Sequence, residues 1–477
     1  MLSTGIRQLG FAWSMLSGRR FRVGDVLALA DDMRATLQEF GSAGDGAGDM
    51  LTAPDPEIQA NLTERRLRRT VRNAARHTPY YRHLFERTGV DPASVSPATI
   101  ASIPPTPKGA LRSMPSAFVS DAARPAVAAQ TTGTTGVPTT VWFSQYELEI
   151  TAATSALALM LVTGLRTEHV WANCITTRSI AQYLAERSVP MTGAGYVPIG
   201  PVDPRIALDR LATPVHLPGK RPQITHLNTT PSYLAALVQE AERDGWTAAD
   251  FGLQEIHVGG EILTDALRDR ARELFDAPVT DGYSMTEIIP VAGQVCAHDH
   301  LHVAADLGHV EVLDPVTFEP AAPGAVGSLT VTPFLSYRDT TTLLRYVTGD
   351  LVRVLPEAEK LDCEMAAVPA TSRVLGRVTG SDLTTRDVLE LLQAERALPL
   401  PTRYALEETG DAAGPVLHVV AERADRTLLA RIEGRVADLA LPLSGVNLVE
   451  DPADLSAPCR VRADLREHTF HTAGRRM

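Results

Sequence analysis

The order of apolar segments predicts a layered α/β fold with a largely parallel sheet, followed by a smaller second α/β domain. Three observations carry that prediction. From residue 170 onward, short apolar strands alternate with helix-period segments, the pattern of strand–helix–strand units. The alternation restarts on a smaller scale over 402–450. Finally, 477 residues exceed one ordinary domain, while 44% hydrophobic and 21% charged residues describe a globular chain with ample core.

The bulk charge narrows the function. A net charge of −12 argues against general nucleic-acid binding, which needs a basic face. Of 45 basic residues only three are lysines, at 108, 220 and 360, so any role that needs an ammonium has three candidates. Four cysteines, at 174, 296, 363 and 459, are too scattered for a disulfide framework, and a reducing cytoplasm is the expected setting. No apolar run reaches ~18 residues, so no membrane span and no membrane partner are expected. The N-terminus lacks a continuous apolar leader and reads as an amphipathic helix packed on the body.

Taken in order, a helical extension occupies 1–60, with its clearest pattern over 23–40 and a Gly/Ala/Asp-rich break, a mobile loop, at 41–50. Residues 61–91 place apolar side chains at helical spacing, with Thr78-Pro79 interrupting two helices. Ile103-Pro104-Pro105-Thr106-Pro107-Lys108 is a stiff connector. A long helix is predicted over 145–163. Strands follow at 170–175, 195–199, 223–227 and 255–258, with helices at 179–187, 204–211 and 231–244 between them. Pro231 stands near the first turn of the last helix. The tail reads as strands at 402–406, 416–421 and 446–449 with a helix over 424–440.

Four stretches carry chemistry. Thr131-Thr132-Gly133-Thr134-Thr135-Gly136, with Pro138 just beyond, offers backbone N–H groups and hydroxyls in a loop of small residues, a composition suited to phosphates. It is not a Walker A loop, because no Lys follows Gly136. Gly259-Gly260-Glu261 ends a strand where glycine lets a ligand approach the backbone. In Asp281-Gly282-Tyr283-Ser284-Met285-Thr286-Glu287, Tyr283 can stack on a purine, Thr286 can donate to a phosphate oxygen and Glu287 supplies a hard oxygen for Mg²⁺. Arg345-Tyr346-Val347-Thr348-Gly349-Asp350 ends on a carboxylate able to accept two hydroxyl bonds.

In this order the stretches resemble the adenylate-forming superfamily, specifically its phenylacetate–CoA ligase-like branch. The Thr/Gly run is similar to that family's phosphate loop, Gly259–Glu261 to its "Gly-Ala-Glu", Asp281–Glu287 to its "Asp-x-Tyr-Gly-x-Thr/Ser-Glu", with Ser284 in place of Gly. Arg345–Asp350 resembles its "Arg-Tyr-x-Thr-Gly-Asp", and Ser372–Arg377 its "Ser-Arg-x-x-Gly-Arg" domain boundary. His77-Thr78-Pro79-Tyr80-Tyr81 and the 103–108 connector look like its N-terminal segments.

The resemblance implies a large AMP-binding domain over 1–375 and a small α/β lid over 376–477. It implies condensation of a small aromatic carboxylic acid with ATP·Mg²⁺ to acyl-AMP and pyrophosphate, with coenzyme A as the default acceptor. Thr131, Thr132, Gly133, Thr134, Thr135 and Gly136 would hold phosphate and Glu287 the Mg²⁺. Tyr283 would face adenine, Asp350 and Arg377 the ribose, and Gly260, Glu261, Asp281 and Ser284 would complete the nucleotide site. Thr286 and Glu287 would act in the reaction itself. The branch also carries a structural zinc, for which Cys296, His298, His302 and Cys363 are the candidates, His300 being the alternative fourth ligand. A homodimer stays open.

The lid departs from the family. Its "Gly-x-Asn-x-Phe-Pro" loop is absent after Arg377, and Asp382 is the nearest hinge residue. No lysine follows Lys360, so the lid cation that would stabilise the transition state falls to Arg460. Adenylate formation is therefore expected to survive better than thioester formation, pointing to specialised metabolism. Two alternatives stand beside this reading: ATP-dependent activation of nitrite for arylamine diazotisation, and a degenerate nucleotide-binding homologue without catalysis.

Overall fold

The structure is a computed structural model that describes residues 2–41, 56–131, 138–177, 179–356, 363, 365, 368–377, 383–407, 414–456 and 461–462. Helices lead the chain: α1 (Leu2–Ser17), α2 (Val23–Phe40), α3 (Pro56–His77), α4 (Pro79–Thr88) and α5 (Lys108–Ser113). A hairpin of β1 (Pro125–Gln130) and β2 (Thr140–Ser144) follows, then α6 (Gln145–Leu161). α6 starts where a capping box allows it: Ser144 Oγ accepts from the Glu147 N–H while the Glu147 carboxylate takes the Ser144 N–H.

The predicted alternation is present: β3 (Val170–Asn173), α7 (Ile180–Met191), β4 (Gly195–Pro198), α8 (Pro204–Ala212), β5 (His226–Thr229), α9 (Pro231–Asp244), β6 (Glu255–Gly259), α10 (Asp265–Phe275) and β7 (Val279–Ser284). β4, β3, β5, β6 and β7 pair in parallel in that spatial order. The sheet then turns antiparallel through β8 (Ala292–Val295), β9 (His300–Val303) and β13 (Ala370–Ser372), making eight strands. Between them in sequence, β10 (Gly308–Leu313), β11 (Val326–Pro333) and β12 (Tyr346–Arg353) form an antiparallel sheet that β14 (Gly376–Arg377) joins.

The last elements are α11 (Thr385–Gln393), β15 (Tyr404–Glu407), β16 (Val416–Val420), α12 (Arg426–Asp438), β17 (Gly445–Val449) and β18 (Val461–Arg462). They carry their own apolar core, including Leu389, Leu392, Tyr404, Leu417, Val419 and Ile432. β14 pairs with β12, so Gly376 and Arg377 belong to the sheet of the large unit, and the separate core starts at Leu383, a few residues beyond the expected 375/376 boundary. The small unit docks through α11 onto the start of α10. Thr264 Oγ1 donates to Gln393 Oε1 at 2.5 Å, and the Asp265 N–H donates to Glu390. Arg373 forks onto Asp265 at 2.7 and 3.0 Å and holds that carboxyl below its usual range. The expected mobile loop at 41–50 lies, from residue 42 on, outside the described residues. Among the described residues, no helix is long and apolar enough to cross a membrane.

Candidate active site

The N-terminal segments build a support before they build a site. Tyr81, at the start of α4, is fully buried, and its hydroxyl meets Thr106 Oγ1 at 2.9 Å and accepts from the Leu344 N–H at 2.7 Å. Thr106 lies in the connector and bonds the backbone on both sides of Tyr346, its N–H to Arg345 O and its carbonyl from Val347 N–H. The Thr-Pro-Tyr-Tyr segment thus fixes the connector against the start of β12. The connector in turn delivers Lys108, whose Nζ lies 2.9 Å from Glu287 Oε1.

Glu287 follows β7 and its side chain is 1% exposed. Its Oε1 also accepts from Tyr346 Oη at 3.2 Å. Its Oε2 is buried with no hydrogen-bond partner among the described residues. An unpaired buried oxygen needs a reason, and a hard cation fits both the charge and the lone pairs of this donor. Glu287 is therefore suited to hold Mg²⁺, the divalent ion expected there.

β12 alternates buried and half-buried positions, so Tyr346, Thr348 and Asp350 share a face. This produces a reciprocal clasp between β12 and the end of β7. Tyr346 on β12 donates to Glu287 after β7, while Tyr283 on β7 donates to Asp350 Oδ2 on β12 at 2.9 Å. Removal from water, then the adjacent carboxylate, holds both phenols well above their ordinary range, so each remains a donor. Arg377, paired in register with Asp350, approaches its Oδ1 at 3.6 Å. Tyr283, Asp350 and Arg377 are therefore brought together, with Asp350 engaged on both oxygens.

Other candidates take different places. Arg345, beside this cluster in sequence, is buried and structural: it forks onto Glu311 and donates to Ile103 O at 2.7 Å. Its backbone is left-handed at φ 46°. Asp281 is buried in β7, and burial pushes its carboxyl up to about 6. Gly259 faces Gly282 across β6 and β7, where an added Cβ would stand 2.8 Å from the Gly282 carbonyl oxygen. Gly260 then turns at φ +83°, open space being available beside it. Glu261 accepts the Ser232 N–H at 2.9 Å, at the positive start of α9. Ser284 is exposed and Thr286 half-buried at the same strand end. Thr131 is tied to Thr139: its N–H donates to Thr139 O and its Oγ1 accepts from the Thr139 N–H. Thr132, Gly133, Thr134, Thr135 and Gly136 lie outside the described residues, as do Arg460 and Asp382.

The candidate zinc set changes by one residue. Ligand atoms of Cys296, His300, His302 and Cys363 all lie within 4.8 Å of one another. His300 takes the place expected for His298. His300 and His302 are two apart on β9 and so share a face, whereas His298 is exposed in the turn between β8 and β9. Cys363 Sγ stands 3.2 Å from His302 Nε2, and the other nitrogen of His302 is tied to Val368 O at 2.9 Å. Two thiols and two imidazoles suit tetrahedral zinc, and the anchored second nitrogen suits a metal-bound histidine.

Sequence reasoning missed Lys108 and Tyr346 as site residues. The signal was available: Lys108 is one of three lysines and ends the connector. Trp171, Tyr196 and His226 lie on the parallel strands β3, β4 and β5. Burial pushes His226 down to about 3 and its neighbour His257 down to about 4, and raises Glu255 to about 7.

A family model described as AMP-binding enzyme matches residues 58–333, more than half of the chain. A phenylacetate-coenzyme A ligase of Thermus thermophilus is 29% identical over 65% of this chain and 68% of that protein. One from Aromatoleum evansii is 28% identical over 78% of this chain and 82% of its own length. Among solved structures, 2-hydroxyisobutyryl-CoA ligase in its postadenylation state, in complex with 2-HIB-AMP, superposes with a TM-score of 0.69. It is 19% identical, and the match covers 86% of this chain and 90% of the other; at that identity the likeness concerns the fold.

Proposed function

The chain belongs to the AMP-binding enzyme family, and from that premise we propose that it activates a small aromatic carboxylic acid as acyl-AMP and hands the acyl group to coenzyme A. As an enzyme it is of the AMP-forming acid–thiol ligase type. The observation that carries the reading is the clasp of Tyr283 with Asp350 and of Tyr346 with Glu287. It sets a diol-binding carboxylate and a metal-binding carboxylate at fixed separation on two rigid strands, the arrangement a nucleotide and its Mg²⁺ require.

In the first half-reaction the acid's carboxylate attacks the α-phosphorus of ATP and pyrophosphate leaves. Such chemistry needs positioned charge rather than covalent help. Mg²⁺, when bound, neutralises phosphate charge. Glu287 is the residue to hold it, Thr131 and the run beyond it to cradle phosphate, and Asp350 with Arg377 to fix the ribose. Lys108 occupies Glu287 Oε1 in this structure and leaves Oε2 unpaired among the described residues. The names of the curated relatives support coenzyme A as acceptor and an aryl acid as substrate. Free thiols at Cys174, Cys296 and Cys363 agree with a cytoplasmic setting.

The test is pyrophosphate release against a panel of aryl acids, with hydroxylamine, with coenzyme A, and with neither. Acid-dependent pyrophosphate release is expected, with hydroxylamine raising turnover more than coenzyme A, because the loop absent after Arg377 is the one that would line the path of the thiol acceptor. Release that no carboxylic acid stimulates would end the proposal.

A further inference from the structure

The parallel strands carry a second cluster of ligating side chains that the nucleotide site does not use. β5 opens with His226 and β6 with Glu255, and the two are register partners. His257 follows Glu255 by two positions, so all three side chains lie on one face of the sheet. One ligand atom from each of His226, Glu255 and His257 lies within 4.8 Å of the others. Trp171, the register partner of His226 on β3, stacks on His257 with centroids 4.7 Å apart, and the two imidazoles are parallel to within 6°. Packing on rigid strands therefore holds the rings.

The hydrogen bonds set which nitrogen is free. Thr225 Oγ1 donates to Val170 O at 3.0 Å and Thr280 Oγ1 to Ile256 O at 3.4 Å. Each hydroxyl so placed can accept an imidazole N–H, and each does meet a ring nitrogen at 2.9 Å: His226 Nδ1 and His257 Nδ1. That tautomer leaves Nε2 of each ring as a lone pair. His257 Nε2 is buried and without a partner among the described residues. A network that existed only to fill the sheet face would satisfy that atom. Hydroxyl-anchored imidazoles beside a carboxylate are the environment of metal-bound histidine.

We propose that His226, Glu255 and His257 form a site for a divalent first-row transition metal of the zinc class. Two imidazoles and one carboxylate, without a thiolate, make a three-ligand set that keeps one coordination position open for water or a ligand oxygen. The site is distinct from the Cys296–Cys363 cluster and stands independently of the ligase reading.

Cobalt(II) separates the two clusters, because thiolate ligands give an intense near-ultraviolet charge-transfer band and nitrogen–oxygen ligands give only weaker visible bands. Wild-type protein stripped of metal is titrated with Co²⁺ and then back-titrated with Zn²⁺. One equivalent without the charge-transfer band is expected, displaced by Zn²⁺. Cys363→Ser should keep it, and His257→Ala and Glu255→Gln should each weaken it at least tenfold with the charge-transfer equivalent unchanged. A wild-type titration that shows only thiolate-bound cobalt, or none, overturns the proposal without need of any variant. So does a thiolate-free equivalent that survives both His257→Ala and Glu255→Gln, which would mark surface binding.

Discussion

Replacing Lys108 by Met keeps most of the unbranched side chain and removes its charge. The pair it breaks is short and enclosed: Nζ to Oε1 at 2.9 Å, with Glu287 1% and Lys108 21% exposed. At an effective dielectric of about 20, the gross attraction at that distance is about 6 kcal/mol. Breaking a buried pair from one side typically costs about 3–5 kcal/mol, because the other charge stays in the interior. Partial exposure of Lys108 puts the expected loss at the lower end, about 3 kcal/mol, a roughly hundredfold change in the folding equilibrium. Urea unfolding of wild type, Lys108→Met, Glu287→Gln and the double variant measures the coupling. Lys108→Met should cost little once Glu287→Gln is in place. A second readout moves the other way. With no ammonium to displace, Mg²⁺ should support ATP binding at lower concentration in Lys108→Met than in wild type. A coupling below about 0.5 kcal/mol, the level of an exposed pair, would refute the reasoning; so would stability and Mg²⁺ response falling together.

Asp350→Ala should weaken AMP binding by about 1.5–3 kcal/mol, roughly ten- to a hundredfold, as read by titration calorimetry. Unchanged affinity would remove Asp350 from the site. Asp281 holds its proton up to about pH 6 when folded and releases it near 3.8 when unfolded, so stability should fall as pH rises through that window. The loss is on the order of 3 kcal/mol at about 1.4 kcal/mol per pKa unit, and Asp281→Asn should flatten it in urea midpoints taken from pH 4.5 to 7. If the cysteine–histidine cluster holds zinc, Cys363→Ser should lower bound metal by about one equivalent by elemental analysis; wild-type protein with no zinc would leave the cluster metal-free.

The alternating α/β body was legible because its signals are local. Helices over 23–40 and 231–244 fall where predicted, since apolar spacing, Pro231 and a polar N-cap all act within a few residues. The strands at 255–259 and 416–420 were visible as short apolar runs for the same reason. The site was legible only as types of residue. That Tyr283 and Asp350 meet follows from two strands of different sheets, a relation no spacing encodes. Lys108 reaches Glu287 through Tyr81 and Thr106, a chain of tertiary contacts invisible in the sequence. The choice between His298 and His300 stayed open in the sequence because the strand over 300–303 was not assigned, so the two-residue period that pairs His300 with His302 went unused. Arg345, in the same stretch as Asp350, has each of its guanidinium nitrogens bonded to Glu311 or to the backbone.

The junction of the two units has a consequence for how the protein responds to its medium. Arg268, Arg373 and Arg386 face Asp265, Asp299 and Glu390 there. The charges cancel, and Asp265 and Asp299 are about half exposed to water, at 50% and 44%. Mobile ions therefore reach this junction, while the enclosed Lys108–Glu287 pair stays shielded from them; at physiological ionic strength screening acts over about 8 Å. Arg373–Glu390 and Arg396–Glu273 reach from one unit to the other, so added salt should weaken those contacts while leaving the Lys108–Glu287 pair little changed. A step limited by swinging the small unit should quicken with salt, and a step limited by holding it in place should slow, so the sign of the salt effect on each half-reaction reports which posture that half-reaction uses.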